Sequence, residues 1–468
     1  VYLGLVGEIY LLHVVHSPNI SQKLDDLPKA WDNAAKAHDG FPFVVVQYPR
    51  PCHTLEQIVN LETIQAYLQL NHLDGWLLYD FRGQNPIALH VAGIKDSGTR
   101  RWFLWIPAQG RPSWLIHAIE RGAFMDVAPD MEGNKHIYIG WQQLAEILPT
   151  FVGSNGKRPL RIAMEYSPLG AVPYVSKVDA GTFELVTEVT GAEIVSSADL
   201  VQLMQAVLSP EQMDSHRRAA QVCLDAKDAA FAFVAESLRA GTEISEYDVQ
   251  QFIMDRFAAA NLDPDHPPIV AVNANAALPH YAPTAQRHSP IRRGDMLLID
   301  LWAKEHAPDA CFGDLTWTAY CGADVPAAVQ DVFNAVARAR DAVIAAVEAS
   351  IGEHRLIHGY ELDDLARDVI REAGYGHGIL HRTGHSLGPL VHWNGVNLDN
   401  LETQDRRRLI PGVMFTIEPG VYLPDLNWDD SPTPKGLGIR SEVNCIVHAD
   451  RLEVTPGRQR EVIALLKD

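Results

Sequence analysis

Four carboxylates stand where the chain reads as strand and ought to be apolar. Asp300 interrupts "MLLIDLW", Asp314 precedes "LTWT", Glu418 sits in "FTIEPG" and Glu442 in "IRSEVN". Buried strands rarely carry carboxylates without a reason. Any one of them could be solvated at a sheet edge or paired with a cation, as Glu442 could be with Arg440. For all four that explanation weakens, because converging, uncompensated negative charge is very costly in an interior. Four carboxylates and one imidazole would balance two divalent ions. Such an oxygen-rich set suits Mn2+ first and admits Zn2+, Co2+ or Fe2+. Two metals roughly 3.5–4 Å apart can lower the pKa of a shared water and polarise a carbonyl.

The stretch "LHRTGHSLGPLVH" supplies imidazoles at His381, His385 and His392. An unbroken helix would put all three on one face. Thr383, Gly384, Gly388 and Pro389 argue against that helix. An extended chain would put His381 and His385 on one face and His392 on the other, so different tasks are expected of them. A helical zinc-protease motif does not fit "HRTGH": it needs Glu where Arg382 stands, and Gly384 disfavours the helix.

The elements that position these residues follow from periodicity. "LETIQAYLQLNHLD" has helical spacing, "GWLLYD" reads as a buried strand, and "RWFLWIPAQGRPSWLIH" reads as two strands around a turn. Residues 56–207 therefore read as an α/β domain. "SPEQ" at Ser209 is a helix start with Pro at the first position and Gln212 closing a capping box. A long helix to about Leu238 follows, then one from "SEYD" with Val249, Phe252, Ile253 and Phe257 inward, and two more at 327–349 and 361–373. Short strands are expected in "PPIVAVN", "DMLLIDLW", "LTWTAYC", "VMFTIEPGVY" and "GIRSEVNCIV". Residues 208–468 thus read as an α+β domain.

The chain has 468 residues, 47% apolar, with a formal net charge of -20. That size allows two ordinary domains. The acidic balance argues against nucleic acid as the main partner. Five cysteines without a close CxxC pair fit a reducing, cytoplasmic setting. The first residues lack a basic leader, a cleavage site and a run able to span a bilayer, so no signal peptide and no membrane anchor are expected. No role is read for residues 1–55.

Taken in order, "LLIDLW", "GDLTWT", "HRTGHSLG…VH", "TIEPGVY" and "GIRSE" resemble the pita-bread metallopeptidases, the family of aminopeptidase P, prolidase, creatinase and methionine aminopeptidase. The resemblance covers roughly 56–468, with 56–207 similar to the creatinase-type N-terminal domain. It implies a pita-bread catalytic domain, two divalent ions and a homodimer. It makes Asp300, Asp314, His385, Glu418 and Glu442 the metal ligands, Asp314 and Glu442 bridging. Glu418 would also shuttle the proton. His392 resembles the histidine that steadies the substrate carbonyl, His280 in "NANAALPHY" the one that closes over the substrate, and His381 another pocket-lining histidine.

The match departs in places. Asp300 and Asp314 are 14 residues apart, three more than is usual, so Asp309 is a rival second ligand. Thr316 and Thr318 keep the family's Asp-x-Thr-x-Thr pattern and favour Asp314. Trp317 replaces a usual Arg, Trp302 a frequent Gly and Trp393 a frequent Asp. These tryptophans would either wall the pocket or pack the core. The expected function is removal of an N-terminal residue, before proline, from a short peptide. Rivals are a prolidase-like dipeptidase, a hydrolase or lyase on the same scaffold, and a non-catalytic binding module. The complete ligand set counts against creatinase-like chemistry and against the binding module. The α/β domain counts against methionine aminopeptidase.

Overall fold

The computed structural model describes residues 60–95, 97–154, 158–429 and 431–467, and the backbone of three short strands, Tyr2–Val6, Ile9–Val14 and Val44–Gln47. The rest of the 1–55 segment, Cys52 and the start of the 56–207 domain lie outside the described residues. Two compact units divide the chain at Gln205 and Ala206. Among the described residues no helix is long and apolar enough to cross a membrane.

The first unit is a six-stranded mixed sheet with helices. Its strand order is Asn134–Tyr138, Ser113–His117, Trp102–Pro107, Gly75–Asp80, Arg161–Met164, Glu193–Ser196. "GWLLYD" forms the central strand and is buried throughout. Its alternation serves two cores. Trp76 and Leu78 join Trp102, Leu104 and Trp114 on one face. Leu77 and Tyr79 join Phe103, Leu115 and Leu144 on the other. A strand covered on both faces has no polar side to display, which is why its sequence runs apolar without alternation.

The second unit combines four long helices with antiparallel strands. Pro210–Ala240 begins at a capping box: Gln212 N–H donates to Ser209 Oγ at 3.2 Å, and Ser209 N–H to Gln212 Oε1 at 2.9 Å. Ser245 and Asp248 repeat the device for Glu246–Ala259. Ala327–Gly352 and Gly359–Glu372 follow. Met296–Glu305 and Gly313–Tyr320 form the central antiparallel hairpin, with Asp300 opposite Thr316 and Trp302 opposite Asp314. The pleat sends Leu297, Ile299, Leu301, Leu315 and Ala319 into a core against Ala226, Ala230 and Val234 of the long helix. It leaves Asp300, Asp314 and Thr316 on the other face. Gly313 permits this packing, because a Cβ there would stand 2.4 Å from the backbone nitrogen of Ala220.

Two expected strands are each broken in two. "VMFTIEPGVY" is Met414–Ile417 and Gly420–Leu423, and "GIRSEVNCIV" is Leu437–Arg440 and Val443–Val447. The breaks coincide. Ile417 pairs with Val443 and Gly420 with Arg440, so Glu418–Pro419 and Ser441–Glu442 face each other across one interruption of the ladder. Proline cannot donate to a ladder, and the interruption frees both glutamates from strand geometry.

Candidate metal centre

Asp314, His385 and Glu442 each offer a donor atom, and those atoms lie within 4.8 Å of one another. All three residues are buried. Glu418 joins them: its Oε1 lies 3.2 Å from His385 Nε2, which is 3.8 Å from Asp314 Oδ2. Asp300 joins through Thr316, whose hydroxyl is 3.0 Å from Asp300 Oδ1 and 2.7 Å from Glu442 Oε2. That hydroxyl has one proton, so it donates to one carboxylate at a time. Asp309, the rival ligand, is exposed in the loop before Gly313 and lies outside this grouping.

Each side chain is held from behind. Asn444 donates from Nδ2 to the Asp314 carbonyl at 2.6 Å and accepts the Asp314 N–H at 3.0 Å. Thr416 Oγ1 accepts the His385 N–H at 3.0 Å and lies 3.1 Å from Glu418 Oε1. The backbone approaches closely here: a Cβ on Gly384 would stand 2.0 Å from the Thr416 carbonyl oxygen. Only glycine fits there. Arg440 is not the partner of Glu442. It ion-pairs with Asp300 and donates from Nε to Thr316 Oγ1 at 2.9 Å, with Glu418 Oε2 at 3.8 Å.

The electrostatics match a site built for cations. Burial, then the charges of Asp300 and Glu418, push the Asp314 carboxyl well above the usual carboxylate range. Burial, then Asp314, does the same to Glu442. Burial and then Arg382 hold His385 down to about 3, so its imidazole is neutral as ligation requires. One guanidinium against four carboxylates leaves negative charge uncompensated, and the donors are oxygen-rich with a single nitrogen. These residues fit divalent cations.

The other histidines occupy different places. His385 and His392 meet edge to face with ring centroids 4.4 Å apart. The extended-chain expectation had put them on opposite faces. The chain instead folds back: the Trp393 N–H donates to the Ser386 carbonyl at 2.9 Å, and Gly388 N–H to Leu390 at 3.1 Å. His392 is exposed, and so is His280. His381 is half-buried and fully engaged. Its Nδ1 lies 2.7 Å from the Arg382 carbonyl, so Nε2 accepts from the Tyr422 hydroxyl at 2.7 Å. The tryptophans divide. Trp317 packs in the helix-facing core under Lys227, whose Nζ lies 3.7 Å from its ring centroid. Trp393 packs on Gly388. Only Trp302 lies on the face of Asp300. The sequence shows Asn444 on the strand face of Glu442 but not its hold on Asp314, and nothing in it marks Thr416 or Tyr422.

Residues 214–449 match the model of metallopeptidase family M24. The Xaa-Pro dipeptidase of Pyrococcus furiosus is 27% identical over 267 residues, 57% of this chain and 67% of that relative. The dipeptidase PepE of Mycobacterium ulcerans superposes with a TM-score of 0.62 at 20% identity, over 89% of this chain and 100% of the other. The N-terminal domain of the FACT complex subunit SPT16 from chickpea, Cicer arietinum, superposes with a TM-score of 0.57 at 12% identity, over 84% and 96%. The two structural likenesses establish the fold and leave the chemistry to the residues of the site.

Proposed function

Because the chain belongs to metallopeptidase family M24 and has its pita-bread α+β fold, we propose that it is a dinuclear aminopeptidase that releases the N-terminal residue of short peptides, preferentially before proline. The observation that carries this reading is the convergence of four carboxylates and one neutral imidazole on one buried floor. Asp300, Asp314, His385, Glu418 and Glu442 would hold two divalent ions, Mn2+ by donor type. When bound, the ions would supply an acidified water and a polarised scissile carbonyl.

The chain's own residues do the rest. Glu418 keeps one oxygen beside Thr416 and His385 and is half-buried at the edge of the cluster. It takes the proton of the attacking water and delivers it to the leaving nitrogen. His392 donates to the developing oxyanion. His280 closes over the substrate beside it. His381 lines the pocket through Tyr422, which orients its ring. We read the N-terminal unit as a creatinase-type domain; the sequence bounds it at residue 207, two residues past the division at Gln205. A homodimer and a cytoplasmic location rest on the family resemblance and the cysteine pattern.

A second reading, a prolidase-like dipeptidase, is favoured by the likeness to the Pyrococcus furiosus enzyme. Mass spectrometry of Mn2+-loaded protein with Xaa-Pro dipeptides, Xaa-Pro-Yaa tripeptides and Xaa-Ala controls separates the two. Loss of the first residue from tripeptides supports the aminopeptidase. Cleavage confined to dipeptides supports the dipeptidase. Metal-loaded protein that cleaves neither refutes both.

A further inference from the structure

Trp302 lies two residues from Asp300 on the same strand face and opposite Asp314 across the hairpin. Its ring packs between two small apolar groups. One contains Tyr281, which follows His280; the other contains Val391, which precedes His392. The indole therefore stands at the edge of the metal centre, between the segments that bring the two outer histidines. Its Nε1 donates to Asp265 Oδ1 at 2.6 Å. His266 Nδ1 lies 3.1 Å from the same oxygen. Among the described residues none donates to Oδ2, and the side chain is 39% exposed.

Asp265 thus adds a fifth carboxylate beside four. It is no ligand of the cluster, since it lies outside the grouped donors, and Trp302 ties it to the strand that carries Asp300. Water reaches this carboxylate, so an arriving cation meets an unshared oxygen beside the metal centre. Among the described residues His266 is its only ion-pair partner, and that ring is 77% exposed. A cation brought by the substrate would find that oxygen free of fixed donors among the described residues. A carboxylate with one oxygen pinned and one open suits a protonated amine.

We propose that Asp265, positioned by the Trp302 indole, binds a protonated amine of the peptide beside the metal centre. The proposal rests on the peptidase reading above. The amine is either the free α-ammonium or the basic side chain of the first residue.

Calorimetry on Mn2+-loaded protein carrying His392→Ala, which slows turnover without removing a metal ligand, compares Ala-Pro-Ala with propionyl-Pro-Ala, which lacks only the amine. A second pair compares Arg-Pro-Ala with citrulline-Pro-Ala. A charge-assisted hydrogen bond predicts roughly tenfold to hundredfold tighter binding of the charged member. Asp265→Asn should erase that preference. Asn tolerates the left-handed backbone of Asp265, whose φ is 52°. Preference within the first pair identifies the α-ammonium; preference within the second alone identifies the side chain. A preference that survives Asp265→Asn, or none in either pair, overturns the proposal.

In otherwise native protein, Trp302→Phe keeps the ring and removes the N–H. It should raise KM for the charged peptide and spare kcat; an equal fall in kcat would point to a structural role only. If native protein cleaves peptides but Asp265→Asn changes nothing, the proposal fails and the peptidase reading stands. If native protein cleaves none, the peptidase reading itself fails.

Discussion

The side chain of Asn444 brackets the backbone of Asp314, 130 residues away, with one bond to its carbonyl at 2.6 Å and one from its N–H at 3.0 Å. Asn444 is fully buried. Replacing it by Ala strands both backbone groups without water. That should cost about 2–4 kcal/mol and, by loosening Asp314, weaken metal binding roughly tenfold to a hundredfold. Metal titration of Asn444→Ala checks this; unchanged affinity would mean that the bracket does not position the carboxylate.

Glu418→Gln preserves shape but removes both the base and one metal-ligating carboxylate. Turnover should fall roughly a hundredfold to ten-thousandfold, while hydrogen bonding through Thr416 and the fold persist. Steady-state rates on the best tripeptide measure it, and near-normal turnover would remove Glu418 from the proton path.

Trp317 has its neighbours in the helix-facing core, with Lys227 above its ring. Trp317→Ala should therefore destabilise by about 3–5 kcal/mol, leaving KM unchanged below the unfolding temperature. A changed KM at full folding would return this residue to the pocket wall.

Glu165 is fully buried and accepts from Trp76 Nε1 at 2.6 Å, Asn85 Nδ2 at 2.9 Å and Ser197 Oγ at 3.1 Å. Burial outweighs these bonds and raises its pKa from 4.5 to about 7. The folded state thus keeps its proton to higher pH than the unfolded chain. The stabilisation is fully present below pH 4.5 and is lost as pH rises through about 7, roughly 3 kcal/mol in all. Hydrogen exchange in the strand Gly75–Asp80 should report this slope, and Glu165→Gln should flatten it. Equal slopes in both proteins would contradict it.

Much of this arrangement is legible in the chain, for reasons that differ by residue. Ser209, Pro210 and Gln212 announce a helix start because capping is local chemistry, and the helix starts at Pro210. The carboxylates stand out because burial forbids them elsewhere. What pairing decides is hidden. Nothing near Arg440 says that it turns to Asp300, 140 residues away, in preference to Glu442. Nothing local says that Glu418 and Glu442 share one break in a ladder, since that depends on the register of two strands. Trp317 looked like a departure near the pocket only until the pleat assigned it the opposite face. His392 looked averted from His385 until the turn at Gly388 folded it back.

The five side chains are proposed to hold a pair of divalent ions. The direct test is metal stoichiometry after Mn2+ loading, read by elemental analysis and by electron paramagnetic resonance. Two ions per chain, magnetically coupled, are expected, with occupancy falling to one or none in Glu442→Gln and His385→Ala. Fewer than two ions in the native chain, or two that survive both substitutions, would overturn this arrangement.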